Sequence, residues 1–167
     1  MANHKVLIPF ILRWEGGFAN VPGDRGGATN KGVTLATFRM VYGSDKTESD
    51  LRRMTNSQWE HIFLSLFWNK FRADEIQSQK VANACVDWAW HSGTSKVIKR
   101  VQKIIGVKQD GIVGTATLSA INKEGDELFE KVQEARKQFL NAIVKSRPSQ
   151  KKFLKGWMNR VNDLNDI

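Results

Sequence analysis

Glu15-Gly16-Gly17-Phe18 interrupts the chain where a helical pattern of apolar residues gives out. Upstream, Val6, Leu7, Phe10, Ile11 and Trp14 recur at the spacing of one helix face, which predicts a helix from about Asn3 to Trp14. Asn3 suits the N-cap, Pro9 predicts a kink or a late start, and Gly16 is expected as the left-handed residue that closes the helix. Downstream, Ala19 to Val33 has no helical period and carries Asn20, Pro22, Gly23, Asp24, Gly26, Gly27, Asn30 and Gly32. That composition reads as turns, with at most a very small β-hairpin. Connections of this length in compact domains are more often functional or disordered than passive.

The remainder of the chain is helical by pattern. Short helices are expected at Thr34 to Tyr42 and at Ser49 to Met54. Thr55 caps a stronger one through about Phe71, with Trp59, Ile62, Phe63, Leu66, Phe67 and Trp68 on its apolar face. Gln79 to His91 places Val81, Ala84, Cys85 and Trp88 on one stripe, and Thr94 is expected to cap a helix that runs to Gly106. Asp110-Gly111 marks a turn before a short helix over Thr115 to Ile121. A long helix runs from Gly125 to about Lys145, and after Pro148 a last one is capped by Ser149. No alternating strand pattern appears, so the fold class is all-α.

Composition narrows the function. At 167 residues, 41% of them hydrophobic, the chain can bury a real core as one domain or as one with a small appendage. The net charge of +9 is uneven: residues 1–75 hold 10 basic and 8 acidic side chains, residues 76–167 hold 16 and 9. A basic second half favours polyanions such as phosphate-bearing cell walls, nucleic acid or anionic membranes, and it is equally the solvated face of a soluble domain. Lys145 to Arg160, with Phe153 and Trp157 interleaved, reads as such a solvated face, with nucleic-acid contact as the alternative. Cys85 is alone and cannot form an intramolecular disulfide, and His4, His61 and His91 lack companions at metal-ligand spacing. No metal or cofactor is expected. Val6 to Leu12 contains Pro9 and lacks a cleavage site, so it reads as a structural helix and not a signal peptide. No stretch approaches the roughly 20 apolar residues of a membrane span.

Chemistry gathers at Glu15. A carboxylate at a helix C-terminus meets the negative end of the macrodipole, which disfavours its charged form, and Trp14 and Phe18 add desolvation in the same direction. Both suit a general acid. The alternative is a surface glutamate at a frayed helix end. Asp24, nine positions on, supplies a second carboxylate of the kind glycoside hydrolysis uses, and Thr29 a hydroxyl that could orient water. Each also has an ordinary reading as a turn residue or a local backbone partner. The glycines at 16, 17, 26, 27 and 32 would let backbone amides approach a sugar closely.

Glu15-Gly16-Gly17-Phe18, followed by Asp24-Arg25-Gly26-Gly27-Ala28-Thr29-Asn30-Lys31-Gly32-Val33-Thr34, resembles the signature of glycoside hydrolase family 108. These are bacterial and phage muramidases, some described as secretion activator proteins. The order Glu, Asp, Thr also resembles the catalytic triad of phage-type lysozymes, although Thr29 falls one residue earlier than that spacing. Asp87-Trp88-Ala89-Trp90-His91-Ser92-Gly93, Val101-Gln102 and Gln109-Asp110-Gly111-Ile112-Val113-Gly114-Thr115-Ala116-Thr117-Leu118 are similar to the predicted peptidoglycan-binding domain that accompanies the family.

The resemblance implies a lysozyme-like helical fold and cleavage of the bond between N-acetylmuramic acid and N-acetylglucosamine. It makes Glu15 the catalytic acid, with Asp24 and Thr29 managing cation and water. Substrate contacts are expected at Gly17, Asn30, Gly32, Asp87 and Trp90. Trp88 and Trp90 point to different helix faces, and their spacing does not say which meets a glycan. Residues 1–75 are expected to form the catalytic segment and 76–167 the peptidoglycan-binding segment, packed as one monomeric unit. The expected partner is bacterial peptidoglycan, with no nucleic acid. Action at the wall would need export by a route the sequence does not reveal. A lytic transglycosylase and a non-catalytic wall-binding or secretion-accessory protein are the alternatives.

Overall fold

The computed structural model describes residues 1–20 and 27–167. Helix α1 spans His4–Trp14, and the Asn3 side chain caps it by accepting from the backbone N–H of Lys5 at 3.0 Å. Pro9 lies within the helix and does not end it. Gly16 does not close α1 in a left-handed turn, because Glu15 itself ends the helix in extended conformation (φ −85°, ψ 140°) while its N–H still donates to Ile11 O. The chain therefore leaves the helix at the carboxylate.

Three two-residue strands follow, β1 (Phe18–Ala19), β2 (Thr29–Asn30) and β3 (Val33–Thr34), paired antiparallel in that order. Phe18 faces Asn30 and Ala19 faces Thr29; Thr29 then faces Thr34 and Asn30 faces Val33. The β2–β3 turn is the pair Lys31-Gly32, both with positive φ (49° and 83°), the geometry of a tight two-residue hairpin. Its register is pinned from outside. Trp59 Nε1 donates to Lys31 O at 2.9 Å, and Asn30 Nδ2 donates to Leu51 O at 2.9 Å.

Helices α2 (Leu35–Tyr42), α3 (Glu48–Arg52) and α4 (Asn56–Phe63) come next, capped by Thr34, Thr47 and Thr55. The single helix expected from Thr55 to Phe71 is broken. After Phe63 it widens into a π-helical turn (Leu64–Trp68), tightens to a 3₁₀ turn (Asn69–Phe71), and stops at left-handed Arg72. Thr94 Oγ1 donates to Leu66 O at 2.8 Å, so that hydroxyl serves this irregular turn and not the helix cap expected of it.

Helix α5 (Gln79–Ser92) is the centre of the molecule. Every residue from Val81 to Ala89 is buried, so the helix is enclosed all round and has no single apolar stripe. Around it lie α1, α6 (Thr94–Ile105), α8 (Glu127–Ser146) and the π-helical turn, with α7 (Thr115–Glu124) against α6 and α8. The buried amide of Gln102 on α6 ties down the Asp110 turn: its nitrogen reaches Asp110 Oδ1 and Ile112 O, both at 2.9 Å, and its oxygen accepts from Gly111 N at 3.0 Å.

Helix α9 (Lys151–Asp163) follows a 3₁₀ turn over Pro148–Gln150, and Gln150 takes the cap position expected of Ser149. It packs on α8 and folds back onto α1, where Asp163 Oδ2 accepts from Trp14 Nε1 at 2.8 Å and Arg13 Nη2 at 2.7 Å. One hydrophobic core runs from Ala2 to Leu164, drawing on both halves of the chain. No helix among the described residues is long and apolar enough to cross a membrane.

Candidate active site

Three elements distant in sequence converge on Glu15. From α5, Trp90 Nε1 donates to Glu15 Oε1 at 3.1 Å. From α9, Arg160 Nη1 donates to the same oxygen at 2.9 Å. From the hairpin turn, Gly32 sits so close that a Cβ there would lie 2.8 Å from Glu15 Cδ and 3.0 Å from Trp90 Nε1. Gly32 is thus required twice, for its positive φ and for the approach of the hairpin to the carboxyl. The Glu15 side chain keeps 19% of its surface exposed. Among the described residues, its Oε2 accepts no hydrogen bond.

Trp90 is half-buried in an aromatic nest, its ring centroid 4.7 Å from Phe67 and 5.3 Å from Trp59. Trp88, by contrast, is core, packed beside Phe139. Of the two tryptophans, Trp90 faces the site.

Behind Glu15 lies a buried charge network. Asp87 is fully enclosed and takes both arginines: Arg136 Nη1 of α8 donates to Oδ2 at 2.8 Å, and Arg160 Nη2 donates to Oδ1 at 2.7 Å. Burial opposes the Asp87 charge, yet the two guanidiniums hold its carboxyl below the usual carboxylate range. His91 lies between the same arginines, with Nδ1 3.3 Å from Arg136 and Nε2 3.3 Å from Arg160. Desolvation of the ring, which is 30% exposed and covered on its inner side, followed by the charge of Arg160 and then of Arg136, pushes the imidazole down to about 3. His91 is therefore neutral near pH 7, and its 4.0 Å approach to Glu15 Oε1 is not an ion pair. A neutral ring accepts at one nitrogen only, so one of the two arginine contacts is a hydrogen bond and the other is packing. Cys85, on the same helix, is inert: burial pushes its thiol up to about 12.

Gly17 is exposed beside Glu15, and its carbonyl accepts from Lys31 N at 3.4 Å. Thr29 lies in β2, paired with Ala19 and Thr34. Asn30 and Asp87 were expected against substrate, but both side chains are buried and spent on the protein, Asn30 on the carbonyl of Leu51 and Asp87 on the two arginines. Asp24 lies outside the described residues. Arg160, Arg136 and His91 were not anticipated. The signal for the arginines is present, because each falls on the apolar face of its helix: Arg136 between Val132 and Leu140, Arg160 between Trp157 and Leu164.

Glu15, Trp90, Arg160 and Gly32 together fix one carboxyl oxygen, beneath a small hairpin, in a mainly helical fold of lysozyme-like type. The chain belongs to the family described as Glycosyl hydrolase 108, which matches residues 8–93, just over half its length. Residues 96–162 match a second family, described as Predicted Peptidoglycan domain. Among solved structures the chain is similar to that of SagA from Brucella abortus, at 32% identity over 97% of this chain and 91% of that one, with a TM-score of 0.84. No curated protein matches. The two family matches meet at Gly93 to Ser95, yet Glu15 and Trp90 come from the first and Arg160 from the second.

Proposed function

We propose that the protein is a peptidoglycan N-acetylmuramidase in which Glu15 protonates the oxygen linking N-acetylmuramic acid to N-acetylglucosamine. The observation that carries this reading is the asymmetric holding of the Glu15 carboxyl. Trp90 and Arg160 both donate to Oε1, which leaves Oε2, the oxygen without a donor among the described residues, as the one available to a leaving group. A general acid needs such an orientation, with its carbonyl oxygen fixed and its hydroxyl directed to the leaving group. Family membership supports glycoside hydrolysis, and the second family match supports peptidoglycan as the polymer.

Asp24 is the candidate to stabilise the cationic transition state, and Thr29 to place the attacking water. Asp87 acts through Arg160, holding the guanidinium that holds Glu15. Asn30 acts through the hairpin, fixing the turn that brings Gly32 over the carboxyl. The basic second half draws the enzyme toward an anionic wall. The test is release of soluble muropeptides from purified sacculi by wild type and by Glu15→Gln, which keeps the size of the side chain and removes the acid.

A further inference from the structure

We propose that helix α9 carries a sugar-binding subsite beside Glu15, in which Phe153 and Trp157 stack against one N-acetylhexosamine ring of the glycan and Gly156 leaves the room for it. This rests on the reading of the chain as a peptidoglycan hydrolase. A cleft of about 330 Å³ is lined by Trp14, Glu15, His91, Phe153, Gly156 and Trp157, with Lys152 and Arg160 completing it. A ligand seated there would meet the carboxyl and the α9 aromatics together.

Three features of α9 point to a ligand. Phe153 is 45% exposed, one of few large hydrophobic side chains left so open. Its ring lies 5.9 Å from that of Trp157 and 29° from parallel, so the two form one aromatic wall a helical turn long. Aromatic faces suit the C–H faces of a pyranose, with polar groups at the edge serving its hydroxyl and acetamido groups. Lys152, its ammonium 5.2 Å from the Phe153 centroid, is such a group.

The third feature is Gly156. A glycine inside a helix is less stable than alanine, a cost usually explained by a neighbour that needs the space. Here a Cβ would meet nothing within 4 Å, and the φ is not one that demands glycine. Gly156 is one of the residues that line the cleft. No packing within the described residues calls for Gly156, and a sugar ring seated in the cleft would use the room it leaves.

The test uses Glu15→Gln as the parent, so that binding is read without turnover, and calorimetric titration with a peptide-free tetrasaccharide of alternating N-acetylglucosamine and N-acetylmuramic acid. Adding Gly156→Leu fills the cleft and Phe153→Ala removes half the wall; each is expected to weaken binding about ten-fold or more. Gly156→Ala guards against misfolding. It should raise Tm by about 2–4 °C while binding weakens, a pairing that a purely structural role does not produce. Unchanged affinity in both Gly156→Leu and Phe153→Ala overturns the subsite, even if Glu15-dependent hydrolysis of sacculi by wild type stands. If wild type releases no sugar but the parent binds the tetrasaccharide through Phe153, the hydrolase reading falls and the subsite survives.

Discussion

Arg160 Nη1 meets Glu15 Oε1 at 2.9 Å across 145 residues of chain, and the same guanidinium holds buried Asp87 at 2.7 Å. The C-terminal helix is therefore part of the site. Arg160→Lys keeps the charge but loses the planar fork that spans both carboxylates. It is expected to leave the protein folded and to lower kcat about 100-fold through misplacement of Glu15, measured on dye-labelled sacculi. Arg160→Met also strips a buried partner from Asp87 and should cost about 3–5 kcal/mol in urea unfolding.

Gly32→Ala tests the approach of the hairpin. At φ 83° an added Cβ is strained by about 1–2 kcal/mol, and it would sit 2.8 Å from Glu15 Cδ. The carboxyl must give way. Activity is expected to fall at least ten-fold while Tm drops by only a few degrees, since the turn remains pinned through Lys31 O and Asn30.

Trp90→Phe separates the hydrogen bond from the ring. Phenylalanine retains most of the packing against Phe67 and Trp59 but cannot donate to Oε1. The expected result is a several-fold loss in kcat with little change in KM, and a stability cost of about 1 kcal/mol.

His91 predicts an acid-side loss of stability. Its folded-state value of about 3 lies below the ordinary 6.5, so between those limits the unfolded chain binds the extra proton. The contribution is complete above pH 6.5 and is lost as pH falls toward 3. Within that interval the slope is bounded by one proton, about 1.4 kcal/mol per pH unit, and the 30% exposure of the ring narrows the interval by screening. Asp87 adds a loss in the same direction below the ordinary carboxylate range. Urea unfolding from pH 7 to 4 should show a shallower slope in His91→Gln than in wild type.

Some of this architecture is legible in the residues and some is not. The helix before Glu15, the glycine-rich turn after it and the all-helical remainder follow from periodicity and punctuation, which act over a few residues. The break after Phe63 does not, because the carbonyl freed at Leu66 finds its donor in Thr94, 28 positions on. Gly16 misled as a helix stop because Glu15 itself turns extended. Arg160 sits in a run that reads as a solvated basic face. Only the fold shows that Arg136 and Arg160 reach into the core to neutralise an aspartate on a helix with no solvent side. An arginine on the apolar face of each of two helices, Arg136 on α8 and Arg160 on α9, is the pattern that marks the network, with Asp87 on the enclosed α5 as the charge they answer.

Glu15 is proposed as the acid that cuts the glycan. Digestion of purified peptidoglycan by wild type and Glu15→Gln, with fragment masses read by mass spectrometry, tests it most directly. Wild type should release fragments with a reducing N-acetylmuramic acid end, and Glu15→Gln should be slower by at least about 100-fold. Clearance by Glu15→Gln at the wild-type rate would contradict the role of Glu15, and anhydro sugar ends from wild type would contradict hydrolysis.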